Sequence, residues 1–164
     1  MKPVYEPILG PDDMVRHIKG LGVQTVIVDI EPLVAYWDGP QEDLDDGIVK
    51  LLGQVAAAPS LRVVCFSTNS ARVPSSIPRT ENIQVIYVTS ARKPIQTARY
   101  EQLPRPGAVI GDQLLTDGLL ARRLGYAFLH YQPPLGGAPI GPMLLNGCGR
   151  LLRPLLFAAY RAHS

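Results

Sequence analysis

Cysteine is scarce in this chain. Cys65 lies in an apolar run and Cys148 in a glycine-rich stretch, a pair that matches neither a disulfide framework nor the spacing of a zinc site. The expected compartment is a reducing cytoplasm. Charge of one sign is missing as well: 16 basic and 14 acidic residues are dispersed and leave a net charge of +2, so no basic footprint for a nucleic acid is present. The longest uncharged stretch, Leu124 to Gly149, is broken by Pro133, Pro134, Pro139, Pro142 and five glycines from Gly136 to Gly149, which excludes a membrane-spanning helix. The opening MKPVYEPILGPDD has no adequate apolar core ahead of its acidic residues, so no secretory signal is expected.

With apolar residues at 46% and charged residues at 18%, the chain buries too much to be disordered. Its 164 residues suit one domain with one complete core. Short runs rich in β-branched and aromatic residues alternate with helical patterns. The runs are Val23–Asp29, Leu61–Ser67, Ile83–Thr89, Ala108–Asp112 and Tyr126–Tyr131, which read as buried parallel strands. The clearest helix is Gln41–Ala58, where Leu44, Ile48, Leu51, Leu52 and Val55 recur at helical spacing behind Pro40. Asp12–Gly20, Lys93–Leu103, Thr116–Leu124 and Met143–Arg161 complete the helices, with Thr116 expected as an N-cap. Pro74 and Pro78 leave the connection Ser70–Arg79 with a short or broken helix at most. The order predicts an α/β fold, a Rossmann-like doubly wound parallel sheet of about five strands. Its core spans about residues 22–131, and a C-terminal helix spans about 143–161.

Ligands of such sheets sit at the carboxyl ends of strands, near the point where strand order reverses. Asp29 ends the first run, Ser67 and Thr68 the second, and Gly111-Asp112 the fourth, with Asp117 shortly after; Lys93 follows the third. Carboxylates from separate strands, a hydroxyl and a lysine together form the kit for phosphoryl transfer through an aspartyl phosphate. Taken singly, each residue has a plainer reading: Asp29 and Ser67 as turn formers, Lys93 as a surface lysine. His17, His130 and His163 share no metal spacing, and His130 reads as structural. GGAPIG (Gly136–Gly141) lacks the lysine of a P-loop and reads as a plain loop.

The spacing of Asp29, Ser67, Lys93, Asp112 and Asp117 resembles the four motifs of the haloacid dehalogenase (HAD) superfamily, and the flanking residues resemble its subfamily IIIA, the YqeG type. GDQLLTD (Gly111–Asp117) followed by ARRLG (Ala121–Gly125) is the most specific piece. STNSARV (Ser67–Val73), ARKP (Ala91–Pro94), Trp37-Asp38 with Pro40, and LLNGCGRLL near the C-terminus add to it. The resemblance implies a HAD core without a cap domain and Mg²⁺-dependent hydrolysis of phosphate monoesters, the mitochondrial relatives acting on phosphatidylglycerophosphate. It further implies Asp29 as nucleophile and Ser67 as phosphoryl ligand, with Lys93 neutralising the phosphoaspartate. Asp29, Asp112 and the main-chain carbonyl of Glu31 would ligate the metal, and Asp117 would hold metal-bound water.

The chain departs from the pattern in its first motif, reading DIEPLVA (Asp29–Ala35) where the family has DxDNTLV. Glu31 replaces the aspartate that gives a proton to the leaving oxygen and then takes one from water, and the added methylene moves the carboxyl by roughly a bond length. A catalytically weakened HAD-like domain that binds a ligand or a protein is therefore the alternative. A response-regulator receiver fits less well, because its lysine follows its last acidic strand end, whereas Lys93 precedes Asp112. The expected partner is a phosphorylated small molecule or a lipid headgroup. The apolar stripe of 143–161, with Arg150, Arg153 and Arg161, either packs on the core or makes peripheral contact with an anionic membrane.

Overall fold

The computed structural model describes residues 3–132 and 153–159. Chain order is β1 (Val4–Ile8), α1 (Pro11–Leu21), β2 (Thr25–Asp29), α2 (Gln41–Val55), β3 (Val63–Ser67), β4 (Gln84–Val88) and β5 (Gly107–Gly111), then a π-helical turn (Leu114–Gly118), α3 (Leu119–Leu124), β6 (Ala127–Tyr131) and the two-residue β7 (Ala158–Ala159). One sheet runs in the order β4-β3-β2-β5-β6-β1-β7, and every pairing in it is parallel. From β2 the chain steps outward through β3 to β4, then returns to lay β5 on the other side of β2. The order therefore reverses between β2 and β5, where a doubly wound sheet opens a crevice.

Strands β2, β3 and β5 are buried along their whole length, as continuous apolar strands between two covering layers must be. Successive residues alternate faces. Val26 and Val28 meet Met14, Ile18, Leu44 and Ile48 of α1 and α2, whereas Ile27 and Cys65 face Tyr100, Leu120 and Leu124. Pro11 at the start of α1 and left-handed Gly22 at its end frame that helix, following the usual asymmetry of helix termini.

The expected doubly wound α/β sheet is thus present, with more strands than the five anticipated. β1 escapes a reading by pattern because Pro7 interrupts it. β7 pairs only with Val4 and Tyr5, so Pro7 has a neighbour on one side alone and its missing N–H is tolerated. The segment Lys93–Leu103 is not a helix. It forms separate turns, with the N–H of Gln96 on Arg92 O, that of Tyr100 on Thr97 O and that of Leu103 on Tyr100 O, because both its ends are tied to the strand tips described below. Thr116 does not cap a helix: it sits inside the π-helical turn with its hydroxyl 3.4 Å from Gln113 Oε1. At the C-terminus, Ala158–Ala159 pair as strand with β1 where a helix to Arg161 was expected. Phe157 is buried there, its ring 5.8 Å from Tyr5 and 5.6 Å from Phe128. Residues 133–152 and 160–164, including Cys148, His163, GGAPIG and most of the expected 143–161 helix, lie outside the described residues. Among those described, no helix is long and apolar enough to cross a membrane.

Two glycines of α2 separate packing from propensity. A Cβ on Gly47 would lie 2.2 Å from the carbonyl oxygen of Val34, in the loop that leaves β2, whereas one on Gly53 meets nothing within 4 Å. Gly53→Ala should stabilise the protein by about 0.5–1 kcal/mol through helix propensity. Gly47→Ala should destabilise it by roughly 1–3 kcal/mol through overpacking. Urea denaturation of the two variants checks the opposite signs.

Candidate active site

The site is built from the loops that leave β2, β3, β4 and β5 at their carboxyl ends. Asp29 closes β2 and stands in register with Ser67 on β3. The loop after β4 is fastened across the tip of β3, with the N–H of Ser90 on Ser70 O (2.8 Å), that of Ala91 on Thr68 O (3.0 Å) and that of Lys93 on Asn69 Oδ1 (2.8 Å). Those bonds aim Lys93 inward. Its Nζ lies 2.7 Å from Asp29 Oδ1 and 2.7 Å from Asp117 Oδ1, and its side chain is 1% exposed.

Asp117 reaches that position because the turn after β5 is π-helical: Gly118 N–H bonds to Gln113 O, five residues back, at 3.2 Å. Its carboxylate lies in the space a side chain at 111 would fill, since a Cβ on Gly111 would sit 2.3 Å from Asp117 Oδ2. Glycine at this strand end is a requirement of close approach. Asp112 completes the group. Oxygens of Asp29, Asp112 and Asp117 all lie within 4.8 Å of one another, and Asp112 Oδ1 is buried without a hydrogen-bond partner.

Electrostatics follow from that crowding. Burial raises the pKa of Asp29 well above the usual carboxylate range and the charge of Asp117 raises it further, with Lys93 opposing both. Burial, then Asp117, pushes Asp112 up to about 7. For Lys93, burial disfavours the ammonium, yet Asp117 and Asp29 outweigh it and the net shift is upward, so the lysine stays charged. One ammonium faces more carboxylate charge than it neutralises. A hard divalent cation with oxygen ligands, such as Mg²⁺, fits this donor set, and the orphaned oxygen of Asp112 is where the shortage is greatest.

Glu31 belongs to the turn after β2, in which the N–H groups of Val34 and Ala35 bond to Ile30 O. Its carboxylate accepts from Thr68 Oγ1 at 2.8 Å and from Ser70 Oγ at 3.4 Å. Ser67 Oγ is 2.7 Å from the hydroxyl of Tyr100. His130, expected to be structural, bridges Tyr5 OH (2.7 Å at Nδ1) and the main-chain oxygen of Asp112 (2.9 Å at Nε2).

Asp29, Lys93, Asp112 and Asp117 therefore meet at one place, with Ser67 in register beside Asp29 but bonded to Tyr100, and Glu31 tied to the residues after Ser67. Sequence reasoning missed Tyr100, hidden in a segment read as helix; Asn69 and Ser70 lay within the STNSARV stretch (Ser67–Val73) but were given no role of their own. Among the described residues, the exposed large apolar side chains Leu9, Tyr36, Trp37, Val73, Ile77 and Ile95 belong to the connections that follow β1 to β4, and Val49 and Leu155 to helical segments. Comparison with protein-family models, curated proteins and solved structures finds no match for this chain, so its own geometry carries the functional reading.

Asp112 has a pKa raised from 3.8 to about 7, so it contributes stability that is full below pH 3.8 and is lost as pH rises through about 7. In metal-free protein, Asp112→Asn should gain on the wild type by on the order of 3 kcal/mol between pH 4 and pH 8. Urea denaturation in a chelator across that range measures the gain. At pH 7.5, Mg²⁺ should raise the melting temperature of the wild type and leave Asp112→Asn unmoved.

Proposed function

We propose that this chain is a Mg²⁺-dependent phosphohydrolase that cleaves a phosphate monoester through an aspartyl phosphate on Asp29. The observation that carries the reading is Lys93 Nζ, shared at 2.7 Å between Asp29 and Asp117 beside the unpartnered oxygen of Asp112. An ammonium so placed supports Asp29 as an anion and stays in contact with it as the carboxylate takes up a phosphoryl group. Asp29, Asp112 and the main-chain oxygen of Glu31 would hold Mg²⁺, with Asp117 behind them. The bound ion would supply positive charge for phosphoryl oxygens and relieve the repulsion that raises Asp29. Ser67 would donate to a phosphoryl oxygen. Glu31 would pass a proton to the leaving oxygen and later accept one from water. The likeness of GDQLLTD and of the ordered acidic strand ends to HAD motifs supports the same assignment.

Exposed Leu9, Tyr36, Trp37 and Ile95, in the connections that leave β1, β2 and β4, would suit an ester whose far side is large or apolar, a lipid headgroup included. Peripheral contact with a membrane through 143–161 and a cytoplasmic location belong to the same reading.

A weakened domain that binds a phosphorylated ligand without turnover is the second reading. It is motivated by Glu31 and Leu33, which stand where the resembling motif has aspartate and threonine. Purified protein assayed with Mg²⁺ against a panel of phosphate monoesters separates the two. Turnover that stops in chelator and falls by about 10³-fold or more in Asp29→Asn is expected of the enzyme. Mg²⁺-dependent binding of phosphate or vanadate with no turnover of any ester would establish the second reading instead.

A further inference from the structure

The turn after β3 brings two hydroxyl groups to one carboxylate. A serine or threonine hydroxyl has a single proton and two acceptor lone pairs. Ser70 N–H donates to Thr68 Oγ1 at 3.0 Å and Arg72 N–H donates to Ser70 Oγ at 3.3 Å, and the two hydroxyl oxygens lie 2.9 Å apart. Thr68 Oγ1 is 2.8 Å from Glu31 Oε2 and Ser70 Oγ is 3.4 Å from Oε1, so Thr68 makes the principal contact with the carboxylate while the single proton of Ser70 is divided between Thr68 Oγ1 and Glu31. Thr68 has little freedom to move. It is fully buried, its N–H bonds to Val88 O at 3.0 Å, and its carbonyl accepts from Ala91 at 3.0 Å.

A glutamate has one more rotatable bond than an aspartate, and an unrestrained proton carrier is a slow one, since misplacement of about 1 Å costs about 10²-fold. We propose that Thr68 and Ser70 are positioning residues that clamp the Glu31 carboxylate at the reach of a glutamate side chain and so make it the proton carrier of the Asp29 site. The proposal rests on the phosphohydrolase reading and deepens it: occupation of Glu31 by these hydroxyls is the device of a working enzyme and no mark of decay. With p-nitrophenyl phosphate the steps separate. An Asp29 oxygen bonds to phosphorus as the bond to the aryl oxygen breaks, and p-nitrophenolate leaves without needing a proton. Water then attacks phosphorus, its proton passes to Glu31, the bond to Asp29 breaks, and phosphate is released.

The experiment measures steady-state and pre-steady-state hydrolysis of p-nitrophenyl phosphate with Mg²⁺. Thr68→Val should lower kcat by about 10–100-fold with KM within about twofold, and Thr68→Ser, which keeps the hydroxyl, should recover most of the rate. Exposed Ser70 has the longer bond, so Ser70→Ala should lose about threefold in kcat, which keeps the test available should Thr68→Val not fold. In Glu31→Gln the first burst of p-nitrophenolate persists, and adding Thr68→Val should change its rate by less than about twofold. A Thr68→Val enzyme as fast as wild type, or one whose burst slows equally with and without Glu31, overturns the clamp while leaving the phosphohydrolase reading intact. A wild type with neither burst nor turnover overturns that reading, and the clamp with it.

Discussion

A lysine ammonium enclosed by aspartates is the constraint on which the rest of this structure depends. Buried charge costs several kcal/mol per ion unless it is paired and hydrogen-bonded, and Lys93 meets that condition through Asp29 and Asp117 at 2.7 Å each. The pairing dictates the backbone around it. The loop after β4 must be fastened to the tip of β3 to deliver the ammonium, the turn after β5 must widen into a π-helix to deliver Asp117, and Gly111 must lack a side chain to let that carboxylate in. A segment with helical apolar spacing gives up its helix because Lys93 at one end and Tyr100 near the other are both anchored at strand tips.

The sheet makes this concentration of charge tolerable. β2, β3 and β5 are buried on both faces and packed by helices, so their carboxyl ends form a rigid platform, and the reversal of strand order between β2 and β5 leaves a gap above it. Polar groups at that gap are spared the deep core but shielded from bulk water. The raised pKa values of Asp29 and Asp112 are the consequence. They describe a site short of positive charge, and the partnerless oxygen of Asp112 is the same shortage expressed as geometry.

Glu31 is held from a neighbouring strand end. Its carboxylate, in the turn after β2, meets Thr68 Oγ1 at 2.8 Å and Ser70 Oγ at 3.4 Å, both from the turn after β3, and those two hydroxyls lie 2.9 Å from each other.

Much of the fold was legible in the chain because it depends on neighbours in sequence. Continuous β-branched runs demand burial on both faces, and helical patterning over Asp12–Gly20 anticipated α1. Strand-end carboxylates in a βαβ order can only face the crevice of a doubly wound sheet. That reasoning singled out Asp29, Ser67, Lys93, Asp112 and Asp117 as a set, whereas Glu31 stood out only through the resemblance to a known motif. What it missed depends on partners far apart in the chain. β1 and β7 are recognisable only once they pair, the π-turn only once Asp117 has Lys93 to meet, and Tyr100 only once Ser67 is beneath it. Bonds such as Lys93 to Asp117, 24 residues apart, and Thr68 to Glu31, 37 residues apart, outweigh the small differences in local propensity that a sequence pattern records. The sequence by itself determined the layers and the chemistry on offer at the strand ends; tertiary structure alone decided which oxygen is paired and which is left open, because desolvation and hydrogen bonding act on distances that only folding creates.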